Sequence, residues 1–391
     1  YYEERLDWRL TNLCPDDLEI VRTRALPTRP IRVVGDIGIR GFPFHRAALR
    51  RLVMAKEIDF VLLTVPSFYS ALLGQSIYLE IPFPFGIDYI DPWVHDWPEA
   101  SIRYSKAWAS RRLSDHLEPA AVRNASLITG VAPGYYQGVL ERNNQLARSS
   151  IQASMPYGCA WQDFEAIESL GAKPSLFGSD GTIINIVYAG ALLPQAQSVL
   201  RNFLAGLVLI KERKQQLYEK LRIFFIGTGK SATDQNGHNV APLAQSMGLG
   251  AAVYEKPERM AYIDVLAHLK ASSAVLVLGS TEPHYTPSKV FQAIQSMKPV
   301  LAFLHKDSTA TQVMLNAAAG KVIPLSEETI PSPEEIFVEL TEFLSKLNKV
   351  STETERRRAL EPYTAEATAS VLACAMDEAI NVFDARRARG L

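Results

Sequence analysis

Short apolar runs recur along the chain and alternate with longer segments in which apolar residues return every three or four positions. That is the appearance of βαβ units built around parallel sheets. In the first half, residues 31–34, 60–64, 84–89, 126–131 and 151–155 read as strands, with helical patterns at 44–56 and 106–123. The alternation breaks after Pro156-Tyr157-Gly158, and residues 170–181 gather Gly, Pro, Ser and Asp as a connector does. A second series then opens with a strand at 183–189 and an apolar helix at 196–211. It continues through strands at 222–226, 251–254, 274–278, 299–304 and 321–324. The tail is one helical pattern over 365–389 that ends in the charged run Asp384 to Arg389, which by itself reads as a solvated capping helix. The pattern therefore predicts an α/β protein with one Rossmann-like domain over 1–172, a second over 173–364, and a C-terminal helical segment over 365–391.

Composition supports two folded cores. The chain has 391 residues, of which 47% are apolar and 21% charged, the balance of a globular protein long enough for two domains. Lys and Arg total 41 against 42 Asp and Glu, a formal charge of -1. No global field would gather nucleic acid, so none is expected as a partner. Cys14, Cys159 and Cys374 lie far apart without CxxC spacing, which argues against a zinc site or a disulfide framework and suits a reducing compartment. No run reaches the roughly 18 apolar residues of a spanning helix, and no signal-peptide pattern opens the sequence. A cytoplasmic location is expected, with peripheral contact at the inner face of a membrane as its extension. Arg46, Arg50 and Arg51, and Lys106, Arg111 and Arg112 near Trp108, are the basic clusters that could touch a membrane or an acceptor. The abrupt, polar opening Tyr1-Tyr2-Glu3-Glu4 leaves open a natural N-terminus upstream.

Three segments could carry chemistry. Gly227-Thr228-Gly229-Lys230-Ser231 ends like a Walker A loop, but the residue five before Gly229 is Phe224 rather than glycine, which argues against a P-loop. What remains is a strand entering a glycine turn at the carboxyl end of a parallel sheet, where open α/β sheets bind ligands. Tyr188-Ala189-Gly190-Ala191 is a second such turn, and glycine there lets a diphosphate approach backbone N–H groups. The third is the densest: a buried strand delivers Gly279 to Lys289, a polar loop holding Glu282, His284, Tyr285, Ser288 and Lys289, and a helix leaves it directly. No histidine among His45, His116, His238 and His268 lies in a metal-ligand spacing, so these read as structural or exposed and no metal site is expected.

Glu282, then Pro287-Ser288-Lys289-Val290-Phe291-Gln292-Ala293, then Lys298-Pro299-Val300, resembles the donor-sugar loop of family 4 glycosyltransferases, nucleotide-sugar-dependent enzymes of the GT-B fold. Asp88-Tyr89-Ile90-Asp91-Pro92-Trp93, Tyr188-Ala189-Gly190 and the stretch 255–262 fall in the order that resemblance requires, over most of 60–308. The resemblance implies two Rossmann-like domains facing across a cleft, with the C-terminal helix crossing back to the first. It implies a retaining, hexosyltransferase-like activity that moves a sugar from a nucleotide diphosphate sugar to a glycan, lipid-linked or small-molecule acceptor. Cell-surface polysaccharide or glycolipid synthesis is the expected setting. A UDP-sugar is the expected donor, with GDP- and dTDP-sugars as alternatives, and no further cofactor.

Carried onto this sequence, the resemblance gives Glu282 the hydroxyls of the transferred sugar, and Ser288 and Lys289 the diphosphate, with His284 and Tyr285 beside them. Gly190, Gly227, Gly229 and Lys230 would line the phosphate path. Tyr254 and Glu255 would sit beside the base and Arg259 would organise their loop. Asp91 is the candidate for catalytic or acceptor contact and His95 a second proton-handling group. Two departures stand out. The family's second glutamate falls at Gln292, and its basic pair early in the second domain has no clear counterpart after Gly190. They keep two other readings open: a sugar-nucleotide epimerase or hydrolase of the same fold, and a non-catalytic partner that has kept the donor fold. Oligomeric state is not legible.

Overall fold

The computed structural model describes residues 7–28, 35–65, 67–94, 102–178, 181–192, 194–229, 236–281 and 287–389. The chain is α/β, with two wholly parallel sheets in two compact units, as the apolar runs predict.

One unit comprises Asp17–Tyr157 and Ala365–Leu391. Its four-stranded sheet has the order β1 (Val61–Val65), β2 (Phe85–Tyr89), β3 (Leu127–Gly130), β4 (Ile151–Ser154). Every residue of β2 is buried, and Phe85, Ile87 and Tyr89 anchor the core with Val65, Ile77 and Val122. The helix Ile37–Ala55 starts earlier than the expected residue 44, because the Asp36 side chain caps it by accepting from the Ile39 N–H and the helix runs through Pro43. Ser105 caps the helix Lys106–Val122 in the same way, accepting from the Trp108 N–H. The C-terminal helix Ala365–Ala388 belongs to this unit: Leu372, Ala375, Met376 and Ala379 pack on Leu127 and Ile151 of the sheet. The expected strand at 31–34 lies outside the described residues.

The second unit comprises Tyr1–Asp16 and Gly158–Thr364. Its strands are β5 (Ile184–Ala189), β6 (Leu221–Ile226), β7 (Val253–Lys256), β8 (Ala274–Leu278), β9 (Val300–His305) and β10 (Gly320–Leu325). They are ordered β10-β9-β8-β5-β6-β7. The units divide at Tyr157 rather than near residue 172. The helix Trp161–Ser169, placed before the boundary by sequence, packs instead on the helix Tyr262–Ala271 of the second sheet. The opening residues also join this unit, where Arg9 makes a two-pronged ion pair with Asp264 at 2.9 Å. The helix Gln197–Arg213 buries Val199, Phe203, Leu207 and Ile210 on one face, the spacing of an amphipathic helix. Among the described residues no helix is long and apolar enough to cross a membrane.

Candidate functional site

Strands β5 and β6 pair in parallel with Ala189 opposite Ile226, so the glycine turns that follow them are neighbours. The Gly190 N–H donates to the Ile226 carbonyl at 2.8 Å, and the Gly227 N–H to the Lys256 carbonyl at 2.8 Å. Both glycines have positive φ, 120° and 74°, where a β-carbon is strained. Strand β5 lies between β6 and β8, the point at which the strand order reverses, and parallel sheets bind ligands outside the carboxyl ends of strands at such a point. A cavity of about 610 Å³ opens there. It brings together Gly190, Gly227, Arg259, Ser288, Lys289 and Gln292, all of them singled out by sequence.

Lys289 is half-buried at the start of the helix Lys289–Gln295. Its Nζ donates to the Tyr188 hydroxyl at 2.7 Å and lies 4.2 Å from the centre of that ring. The Tyr188 hydroxyl gives its own proton to the Ala191 carbonyl at 2.9 Å, which leaves its oxygen as an acceptor for the ammonium. Burial lowers the Lys289 pKa to about 7, because an ammonium taken from water is disfavoured. No described residue lining the cavity is acidic. A β-carbon on Gly190 would stand 3.3 Å from Nζ, so the ammonium is held close against the glycine backbone. The result is a cation aimed at a glycine turn and lacking a counterion among the described residues, an arrangement that an anionic ligand completes. Arg259 is exposed at the cavity and makes no ion pair among the described residues, and Ser288 is exposed beside it.

Opposite this charge, Tyr262 opens the helix Tyr262–Ala271 and lines the cavity. Its hydroxyl donates to Asp163 at 2.7 Å, and the Gln292 side chain, also in the lining, acts on the same phenol to hold its pKa back. Burial first, then the Asp163 carboxylate, push the phenol well above its usual pKa.

Other sequence candidates fall elsewhere. The Glu255 carboxylate is fully buried, and it accepts from the backbone N–H groups of Asn239, Val240 and Ala241 and from the Thr228 hydroxyl. It ties the turn after β6 to the start of the helix Ala241–Ser246, so it organises the glycine turn rather than facing the cavity. Tyr254 is exposed, stacks on Phe224 at 5.1 Å and donates to the Ala251 carbonyl, away from the cavity lining. Gly229 is buried behind the lining, its N–H given to the Pro257 carbonyl at 2.9 Å. Asp91 follows β2 in the other unit and is exposed, beside a buried Trp93 that stacks on Phe68 at 5.9 Å. His95, Lys230, Glu282, His284 and Tyr285 lie outside the described residues. His268 is structural: its Nε2 accepts from the Ser175 N–H at 2.9 Å while Nδ1 donates to the Asp264 carbonyl, and burial lowers its pKa.

Sequence reasoning missed the working parts of Tyr188, Tyr262 and Asp163. Tyr188 sits inside an apolar strand and reads as core. The Asp163–Tyr262 pair joins residues 99 positions apart, which no local pattern reveals.

No known family profile and no curated protein sequence matches the chain. Solved structures do. Sucrose-phosphate synthase from Thermosynechococcus elongatus aligns with a TM-score of 0.59 at 14% identity, over 93% of this chain and 86% of that one. The chain has the GT-B fold. A UDP-forming α,α-trehalose-phosphate synthase from Burkholderia xenovorans shares it at TM-score 0.54 and 12% identity, over 87% and 77% of the two chains. Anabaena HepE, solved in complex with UDP, gives 0.54 at 16% identity over 85% and 82%. At these identities the likeness is one of fold, and what a GT-B chain does must be argued from its site.

Proposed function

We propose that the chain is a glycosyltransferase that takes a sugar from a nucleotide diphosphate sugar and passes it to an acceptor hydroxyl or amine. The observation that carries the reading is the Lys289 ammonium, half-buried without a carboxylate partner among the described residues, against the Gly190 backbone at the carboxyl ends of β5 and β6. As the glycosidic bond breaks, negative charge grows on the departing nucleotide diphosphate, and a fixed cation stabilises that charge without reorganising. Gly190 and Gly227 leave room for phosphate oxygens to approach the backbone. Binding to the anion restores the proton that burial makes Lys289 reluctant to hold.

The finer assignments rest on resemblance. Uridine is the favoured base, in keeping with the UDP bound to Anabaena HepE. Retention of anomeric configuration, Glu282 on the sugar hydroxyls, Ser288 on the diphosphate, and Asp91 and His95 on the acceptor side belong to the same proposal. No cofactor beyond the donor is part of it.

Calorimetric titration with UDP, GDP and dTDP, followed by their sugars, tests the reading. One nucleotide is expected to saturate, with Lys289→Ala weakening it at least about tenfold, roughly 1.4 kcal/mol, at a nearly unchanged melting temperature. If no nucleotide sugar binds, or the variant binds as the wild type does, the proposal fails. Product mass then separates the rivals: an altered donor without acceptor marks an epimerase or hydrolase. Binding with no turnover marks a non-catalytic partner, the reading favoured by Gln292 at the place of the expected glutamate and by the missing basic pair after Gly190.

A further inference from the structure

A second cavity, of about 660 Å³, lies wholly within the unit of the first sheet. The segment leading into β3 forms one side of it and the C-terminal helix Ala365–Ala388 the other. Arg123, Arg148, Arg386 and Arg387 all line it, and among the described residues no carboxylate does. Arg386 is held in place by donating to the Ser149 carbonyl at 2.8 Å. Arg123, Arg148 and Arg387 form no ion pair among the described residues. Ser126, also in the lining, is buried, and its Oγ has no hydrogen-bond partner among the described residues. Its backbone is already committed, the N–H donating to the Phe85 carbonyl at 2.8 Å.

Like charges gathered around one concavity repel each other, and an unpartnered buried hydroxyl adds a further cost. One occupant relieves both. Guanidinium groups stay charged at any physiological pH and present paired N–H donors that match phosphate oxygens. Beside the arginines, Tyr78, Val382 and Phe383 supply an apolar flank, with Tyr78 and Phe383 packed edge to face at 6.3 Å. The volume falls in the range of about 300–1,000 Å³ usual for small-ligand sites.

We propose that this cavity is a binding site for a small organic phosphate bearing at least two negative charges, its phosphate between Arg123, Arg148 and Arg387 and its organic part on Tyr78 and Phe383. The site precedes β3, in the unit that does not hold Lys289, and the inference does not depend on the sugar-transfer reading.

The test titrates inorganic pyrophosphate, in metal-free buffer, into full-length protein carrying Lys289→Met, which keeps the side-chain stem and removes the ammonium of the first cavity. Saturable binding is expected. Adding Arg123→Gln and Arg148→Gln should weaken it at least about tenfold without changing the circular dichroism or melting temperature, since both arginines are exposed and unpaired. Absence of pyrophosphate binding, or equal affinity with both arginines replaced, overturns the proposal. Co-sedimentation with phosphatidylcholine vesicles containing about one-fifth phosphatidate identifies the source. Retention that the two arginine changes abolish makes the ligand a lipid headgroup, and no retention alongside pyrophosphate binding makes it a free metabolite.

Discussion

The Tyr262 phenol lies 2.7 Å from the Asp163 carboxylate and has the Gln292 side chain as a second neighbour in the cavity lining, where it opposes the rise in the phenol's pKa. A phenol has one proton, and here it goes to Asp163. The second neighbour must then donate, which an amide does and a carboxylate does not. This accounts for glutamine where the family resemblance leads one to expect glutamate.

Gln292→Glu should therefore place two carboxylates on one phenolic proton and destabilise the fold by about 1–3 kcal/mol at neutral pH. The introduced carboxyl would have its pKa raised in the folded state. Its folded form then binds more protons than its unfolded form above about pH 4.3. Stability of the variant should approach that of wild type near that pH and fall as pH rises. Urea melts across that window check this, and a pH-independent difference would detach Gln292 from the Tyr262 proton.

Lys289 makes a pH prediction of the opposite sign. Its pKa is lowered by burial to about 7, against about 10.4 for a free lysine. Between these values the unfolded chain holds more protons, so this group makes stability rise with pH across that window. Binding a nucleotide sugar should draw the proton back. Calorimetry at pH 8 in two buffers of different ionisation enthalpy should show proton uptake, and Lys289→Ala should lose it. A nucleotide sugar, unlike a free nucleotide, has no terminal phosphate titrating near about pH 6 to obscure the signal. Equal heats in the two buffers would remove the ammonium from donor binding.

Much of this was legible before the structure. Strands buried on both faces read as unbroken apolar runs, and β8, Ala274–Leu278, coincides with its expected span. β7 is displaced from 251–254 to Val253–Lys256 because Ala251 and Ala252 form a turn while the charged pair Glu255-Lys256 continues the strand. The glycines were legible because tight turns after parallel strands demand them. The role of Glu255 was not, since the N–H groups it accepts from lie 14 to 16 residues away and meet it only in the fold. Arg356 stands in the run Glu353-Thr354-Glu355-Arg356-Arg357-Arg358, which reads as a solvated face, yet it is fully buried.

That buried arginine carries the third prediction. Its Nη1 donates to the carbonyls of Ile294 at 2.7 Å and Lys298 at 2.9 Å, its Nη2 to Ala319 at 3.4 Å, and its Nε to Ser351 at 2.9 Å. Ile294 belongs to the same short helix as Lys289 and Gln292. Arg356→Ala would remove one donor from each of those carbonyls, of which Ile294 keeps the Met297 N–H and Ala319 the Val300 N–H, and should cost about 1–3 kcal/mol, by urea denaturation. Arg356→Lys should recover only part, because one ammonium cannot reproduce the directions of a planar fork. Full recovery with lysine would mean that charge alone matters there.

The two glycines of the cavity should respond differently to a methyl group. At Gly227 a β-carbon meets nothing nearer than 3.9 Å, so Gly227→Ala adds only the strain of φ 74°, about 1–2 kcal/mol. At Gly190 the same methyl stands 3.3 Å from Lys289 Nζ and 3.4 Å from its Cε, so Gly190→Ala adds strain at φ 120° and also pushes the ammonium from its seat. Both variants should lose stability in thermal melts, but Gly190→Ala should lose far more nucleotide-sugar affinity. If the two lost affinity equally, backbone strain would account for both and the approach of Lys289 to Gly190 would have no part in binding.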